Sequence, residues 1–105
     1  MGKIIWTNKS VAHLKALHDY IAEDSPVYAV GFVKALIKST RKLEAFPLCG
    51  RIVPEFQNSS LNFREVIYKG YRIIYRIMTN SDIEIITVAH GREDIYNNLD
   101  KDWIL

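Results

Sequence analysis

The chain is 105 residues long, 49% hydrophobic and 25% charged, with a formal net charge of +2, values that suit one small globular domain and argue against disorder. No apolar run approaches the roughly 20 residues of a membrane-spanning helix, and Met1-Gly2-Lys3-Ile4-Ile5-Trp6 is too short and too soon polar for a secretory signal. The single Cys49 excludes an internal disulfide and agrees with a reducing compartment, so a cytoplasmic location is expected.

Residues 3–7 read as a short, mostly apolar strand. Thr7, Asn8 or Ser10 can cap the helix that follows, whose stripe is Val11, Leu14, Leu17 and Ile21. That helix stops near Asp24, and Ser25-Pro26 restarts a second one, with Ser as N-cap and Pro at the first helical position. Its expected buried face is Ala29, Val33, Leu36, Ile37, Thr40 and Leu43, and residues 47–50 end it. So short a connection folds the two helices back as an αα-hairpin.

Residues 51–56 begin a sheet, and residues 57–61 form a polar loop. The runs 63–68 and 71–77 are joined by Lys69-Gly70, where glycine supplies the positive φ of a tight hairpin, and a third run, 82–90, follows Asn80-Ser81. The order is β-α-α-β-β-β-β: an α+β domain, with an N-terminal strand, a helical hairpin over one sheet face and a four-strand antiparallel meander. No repeat or linker divides the chain, so residues 1–105 are expected to form a single domain, with 93–105 a short acidic and apolar tail.

Parity along the 71–77 run separates Tyr71, Ile73, Tyr75 and Ile77 from Arg72, Ile74 and Arg76. One face can meet the core while the other displays two guanidinium groups, with Arg64 and Arg92 near the strand ends. Charge follows the same division. Residues 1–92 hold thirteen Lys/Arg against eight Asp/Glu, a net +5, whereas 93–105 set Lys101 against Glu93, Asp94, Asp100 and Asp102, a net −3. A basic body with an acidic tail points to an anionic target or an acidic partner. Lys34, Lys38, Arg41 and Lys42 fit better as a solvated helix face, and Arg72 and Arg76 have Glu65 and Glu84 as alternative cross-strand partners.

Other chemistry has little support. His13 and His18 stand five apart, off one helix face, and no His/Cys cluster has ligand spacing, so no metal is expected. Cys49 lies in a turn with no histidine placed near it, and the scattered glycines form no phosphate-cradling loop. No cofactor is implied.

The segments Gly50-Arg51-Ile52-Val53-Pro54-Glu55, Arg64-Glu65-Val66, Tyr71-Arg72-Ile73-Ile74-Tyr75-Arg76 and Val88-Ala89-His90-Gly91-Arg92, in this order behind two helices, resemble the RelE/ParE superfamily of toxins from type II toxin–antitoxin modules. The resemblance runs from about Trp6-Thr7 to Arg92. It implies growth inhibition, a role in plasmid stabilisation, a protein antitoxin as partner, and either a homodimer or a toxin–antitoxin hetero-oligomer.

Two activities follow from the resemblance. RelE-like members cut ribosome-bound mRNA; carried over, Arg72 and Arg92 would stabilise the phosphorane, with Arg64 beside them and His90 or Tyr96 moving the proton. This chain offers only Arg64 where some of these nucleases place two lysines. ParE-like members poison DNA gyrase without a recognised nuclease site, and the Gly-Arg-x-Val-Pro-Glu segment and the His-Gly-Arg close lie nearer that branch. A third reading is a non-toxic protein-binding module. In the tail, Ile95, Tyr96, Leu99, Trp103, Ile104 and Leu105 are spaced partly as a helix, suited to completing the core, docking on the protein's own groove or forming a dimer contact.

Overall fold

The computed structural model describes residues 2–58, 60 and 62–91. Strand β1 (Ile4–Trp6) hands over directly to helix α1 (Asn8–Ala22) because Thr7 takes the N-cap. Its hydroxyl accepts from the Ser10 backbone N–H at 3.1 Å, and the Ser10 hydroxyl donates back to the Thr7 carbonyl at 2.8 Å. Ser25 caps helix α2 (Pro26–Ser39) in the same way, accepting from the Tyr28 N–H at 3.2 Å, with Pro26 at the first position. The two helices pack on each other as the expected hairpin. A 3-10 turn over Arg41–Glu44 then buries Leu43.

Strands β2 (Arg51–Ile52), β3 (Phe63–Tyr68), β4 (Tyr71–Ile77) and β5 (Ile83–His90) run antiparallel in succession. Strand β1 joins β5 in parallel, giving the sheet order β1-β5-β4-β3-β2. This is the α+β order read from the sequence. Lys69 and Gly70 both adopt positive φ, +44° and +85°, matching the twist of a two-residue hairpin. The β4–β5 connection is longer than a two-residue turn: the Met78 N–H donates to the Asp82 carbonyl and the Ser81 N–H to the Met78 carbonyl. The β2 segment is shorter than the expected 51–56. After Ile52 the chain turns through a 3-10 turn at Pro54–Phe56, because Val53 and Phe56 are drawn into the interior.

Helix burial also shifts from the sequence reading. Val11 is half exposed, while Phe32, outside the expected α2 stripe, is buried and packs edge-on against Tyr68 and Tyr71. On the helix side of the sheet, Leu14, Leu17, Phe32 and Leu36 meet Val66, Ile73, Tyr75, Ile83, Ile85 and Val88. The opposite side is covered too: Val53, Phe56, Phe63, Ile74, Ile86 and Ala89 form a second apolar cluster.

A bulge makes both clusters compatible with one central strand. Ile74 pairs with Thr87, but Tyr75 pairs with Ile85, leaving Ile86 as the extra residue of β5. The side-chain parity of β5 therefore switches, sending Ile85 and Val88 to the helices and Ile86 and Ala89 to the second cluster.

Tyr75 crosses the helix-side core to hold the loop before β2. Its hydroxyl donates to the Pro47 carbonyl at 2.6 Å and accepts from the Gly50 N–H at 3.1 Å. A Cβ at Gly50 would stand 2.5 Å from that hydroxyl, so only glycine permits this approach. Tyr75→Phe takes the hydroxyl from the buried Gly50 N–H and the half-buried Pro47 carbonyl and is expected to cost about 1–3 kcal/mol with the fold retained. Burial pushes the Tyr75 phenol above its ordinary value. Its contribution is thus complete below the unfolded tyrosine value of about 10 and is lost as pH rises through the folded pKa. Urea unfolding followed into the alkaline range should show a steeper decline for the unsubstituted protein than for Tyr75→Phe.

Candidate functional surface

Pairing places six charged side chains on the sheet face away from the helices. Arg51 stands opposite Glu65 on β2 and β3, Arg72 lies diagonal to Glu65, and Arg76 stands opposite Glu84. The sixth, Glu55, comes from the Pro54–Phe56 turn. It is carried over this face because Val53 and Phe56 on either side of it are buried.

These charges neutralise one another in place. Arg72 donates from both terminal nitrogens to the two Glu55 oxygens, at 2.7 and 2.8 Å, and from Nε to Glu65 at 2.6 Å. The second Glu65 oxygen accepts from Arg51 Nε. Arg76 Nε donates to Glu84 at 2.7 Å. Glu65 is 1% exposed and Arg72 5%. A carboxylate and a guanidinium that deep persist because each is bonded to opposite charge; the bidentate Glu55 contact also suits the planar guanidinium. The hydrogen bonds to Glu55 hold Arg72 protonated more firmly than an ordinary arginine, against the opposing push of burial, and Glu65 adds to them.

The basic outer face expected from the sequence is thereby corrected. Arg72 is not displayed to solvent; it is the centre of a buried chain running Arg51, Glu65, Arg72, Glu55. Parity alone placed it correctly on the face away from the helices but gave no sign that this face was covered. A signal was present in Val53 and Phe56, two apolar residues flanking Glu55 at turn spacing, and in Phe63, which packs edge-on to Phe56 at 5.1 Å.

Arg64 lies on the other face. It pairs with Tyr75, and its Nη1 donates to the Gly50 carbonyl at 2.7 Å and more weakly to that of Leu48 at 3.4 Å. It lines a groove of about 320 Å³ with Leu48, Ile52, Asn62 and Ile77. Leu48, Ile52 and Ile77 are exposed around it, so a cationic centre stands beside apolar side chains. His90 sits at the opposite end of the sheet, paired with Tyr71 and edge-on to its ring at 5.7 Å. Arg64 and His90 thus share the helix side but stand at opposite ends of β4, and Arg72 is on the reverse side. The structure does not bring these three together. Arg92 and Tyr96 lie outside the described residues, as does the 93–105 tail.

Among the described residues no group of three or more His, Cys, Asp or Glu is placed to hold a metal ion. His13 instead meets the Thr87 hydroxyl at 2.6 Å, tying α1 to β5. Cys49 is exposed in the loop before β2. No helix of the described residues is long and apolar enough to cross a membrane.

Comparison with known proteins gives a consistent placement. Residues 4–95 match the family described as ParE toxin of type II toxin-antitoxin system, parDE. The chain is 24% identical over 91 residues to Toxin RelE2 of Caulobacter vibrioides, spanning 87% of this chain and 97% of that protein. It shares its fold with a chain of the solved chromosomal ParDE TA system from P. aeruginosa, at a TM-score of 0.69 and 23% identity, over 86% of this chain and 96% of the other.

Proposed function

This chain belongs to the ParE toxin family of type II toxin–antitoxin systems, and from that premise we propose that it arrests growth by poisoning DNA gyrase in the cytoplasm and is held inactive by a protein antitoxin. The observation that carries the gyrase reading over mRNA cleavage is the placement of Arg72. Cleavage without a metal needs a cation facing the scissile phosphate and a proton-transfer group within hydrogen-bond reach of it. Here Arg72 is saturated by two carboxylates and nearly inaccessible. Arg64 faces away from it, and His90 is remote from Arg64. Such a distribution favours a surface that acts by binding.

The groove around Arg64 fits the antitoxin. An amphipathic segment can lay apolar side chains over Leu48, Ile52 and Ile77 while an acidic one reaches the guanidinium. The charge complement is electrostatic steering for an acidic partner by the basic body.

Induction in a bacterial host without the antitoxin tests the reading, with gyrase-trapped DNA breaks and mRNA integrity followed in parallel. Growth arrest with accumulated breaks and intact translated mRNA is expected. Cleavage of translated mRNA overturns the gyrase reading in favour of the RelE-like activity. Unimpaired growth with soluble, folded protein overturns the toxin reading and leaves a protein-binding module.

A further inference from the structure

Helix α2 carries two unlike halves on its solvent side. Ala29, Phe32 and Leu36 face the core, and opposite them Val27, Gly31, Lys34 and Lys38 recur at the four- and three-residue spacing of one stripe. The first half of the stripe is apolar. Val27 is 85% exposed, Tyr28 and Val30 stand open beside it, and a Cβ added at Gly31 would meet nothing within 4 Å. A hollow of about 290 Å³ adjoins it, between Val27, Tyr28 and Gly31 on α2 and Tyr68 and Lys69 on the sheet. The second half is basic, through Lys34 and Lys38.

Charge is ordered along the same line. Glu23 and Asp24 are exposed just before the Ser25 cap, and Lys34 and Lys38 are exposed toward the far end of the helix. Among the described residues none of these four has an ion-pair partner, although Lys15, Arg51, Arg72 and Arg76 all have theirs. An acidic start, an apolar middle and a basic end make a self-complementary surface. Turned about a two-fold axis through Gly31, the same helix presents base to acid and apolar to apolar.

In that pairing, residues equally far on either side of Gly31 meet. Val27 lies against the partner's Ala35, and the Tyr28 ring receives the partner's Lys34 ammonium. Glu23 and Asp24 come level with the partner's Lys38. The missing side chain at Gly31 lets the two backbones approach where they cross. A parallel arrangement would instead oppose lysine to lysine and carboxylate to carboxylate.

We propose that the outer face of α2 is a homodimer interface, in which a second copy of this chain packs its own α2 antiparallel across Gly31. One helix per copy is a small contact, so association is expected at micromolar rather than nanomolar concentration and weakens with added salt. The interface shares no residue with the Arg64 groove, and the inference does not depend on the gyrase reading.

Sedimentation equilibrium of the purified full chain tests it. Gly31→Glu enters open space in one copy but faces its own image in two. It should be monomeric where the unsubstituted chain is dimeric, with helix content by circular dichroism unchanged. Asp24→Lys and Lys38→Glu should each weaken self-association by about tenfold or more. An equimolar mixture of these two variants should restore the dimer, because each supplies the charge the other lacks. Val11→Ser, half exposed on α1, should leave the mass unchanged. A monomer at every concentration overturns the proposal and leaves this face to a different protein. A dimer indifferent to Gly31→Glu, or charge variants that mixing fails to rescue, overturns it as well.

Discussion

Arg72→Ala is expected to lower the unfolding free energy by about 3–5 kcal/mol, the loss typical of removing one member of a buried ion pair. The substitution strands Glu65, whose side chain has no solvent exposure, and takes both terminal hydrogen bonds from Glu55. Arg51 cannot compensate, because its guanidinium already serves the other Glu65 oxygen and its side chain is 60% exposed. For a domain of this size each kcal/mol shifts Tm by roughly 4–8 °C, so thermal unfolding should fall well below that of the unsubstituted chain. Arg51→Ala, by contrast, should cost about 1 kcal/mol or less, since a solvated guanidinium contributes little. Equal Tm values for Arg72→Ala and the unsubstituted protein would mean that the buried chain is not structural and that Arg72 is free for another task. The comparison bears directly on function. Loss of toxicity in Arg72→Ala is uninterpretable as lost catalysis unless the fold is shown to survive.

Phe56→Ala is expected to cost about 3–5 kcal/mol as well, although Phe56 belongs to a three-residue turn at the end of a stretch that reads as an edge strand. Its ring is 1% exposed and meets Phe63 edge-on, within the cluster that includes Ile74 and Ile86. Truncation opens a cavity there and releases the turn that carries Glu55, weakening the clamp on Arg72 through the backbone. The two substitutions should therefore not add. A double-mutant cycle between Phe56→Ala and Arg72→Ala should show a coupling of about 0.5–3 kcal/mol, measured by urea unfolding. Additive effects would mean that the turn holds its position without the ring. Ile67→Ala, on the same sheet face but half exposed, serves as the control that should change little.

Local signals carried most of the fold. Ser25-Pro26 announced a helix start that needs only its own residues, since the Ser25 hydroxyl satisfies an N–H three residues on. Lys69-Gly70 announced the hairpin because positive φ is a property of the residue and of the turn together. The alternation along β4 correctly put Tyr71, Ile73 and Tyr75 toward the helices. Where the expectation slipped, a distant contact was responsible. The α2 stripe missed Phe32, which is buried by Tyr68 and Tyr71 from the sheet rather than by its own helix. The β2 strand stopped at Ile52 because Val53 and Phe56 gain more by entering a second core than by extending an edge.

The site was less legible, for a physical reason. Parity assigns a side chain to one of two faces but does not say what covers the face. Strand-end arginines look alike in sequence whether they point to the helices, as Arg64 does, or away from them, as Arg72 does. Six charged residues scattered from Arg51 to Glu84 become three neutralising pairs only when β2, β3, β4 and β5 align in register and the Pro54–Phe56 turn closes over them. The sequence by itself determined the elements, their order and the family, since caps, turns and alternation are local consequences of residue type. Tertiary structure alone decided that Arg72 is a buried structural cation, because burial and ion pairing belong to groups that meet across the chain.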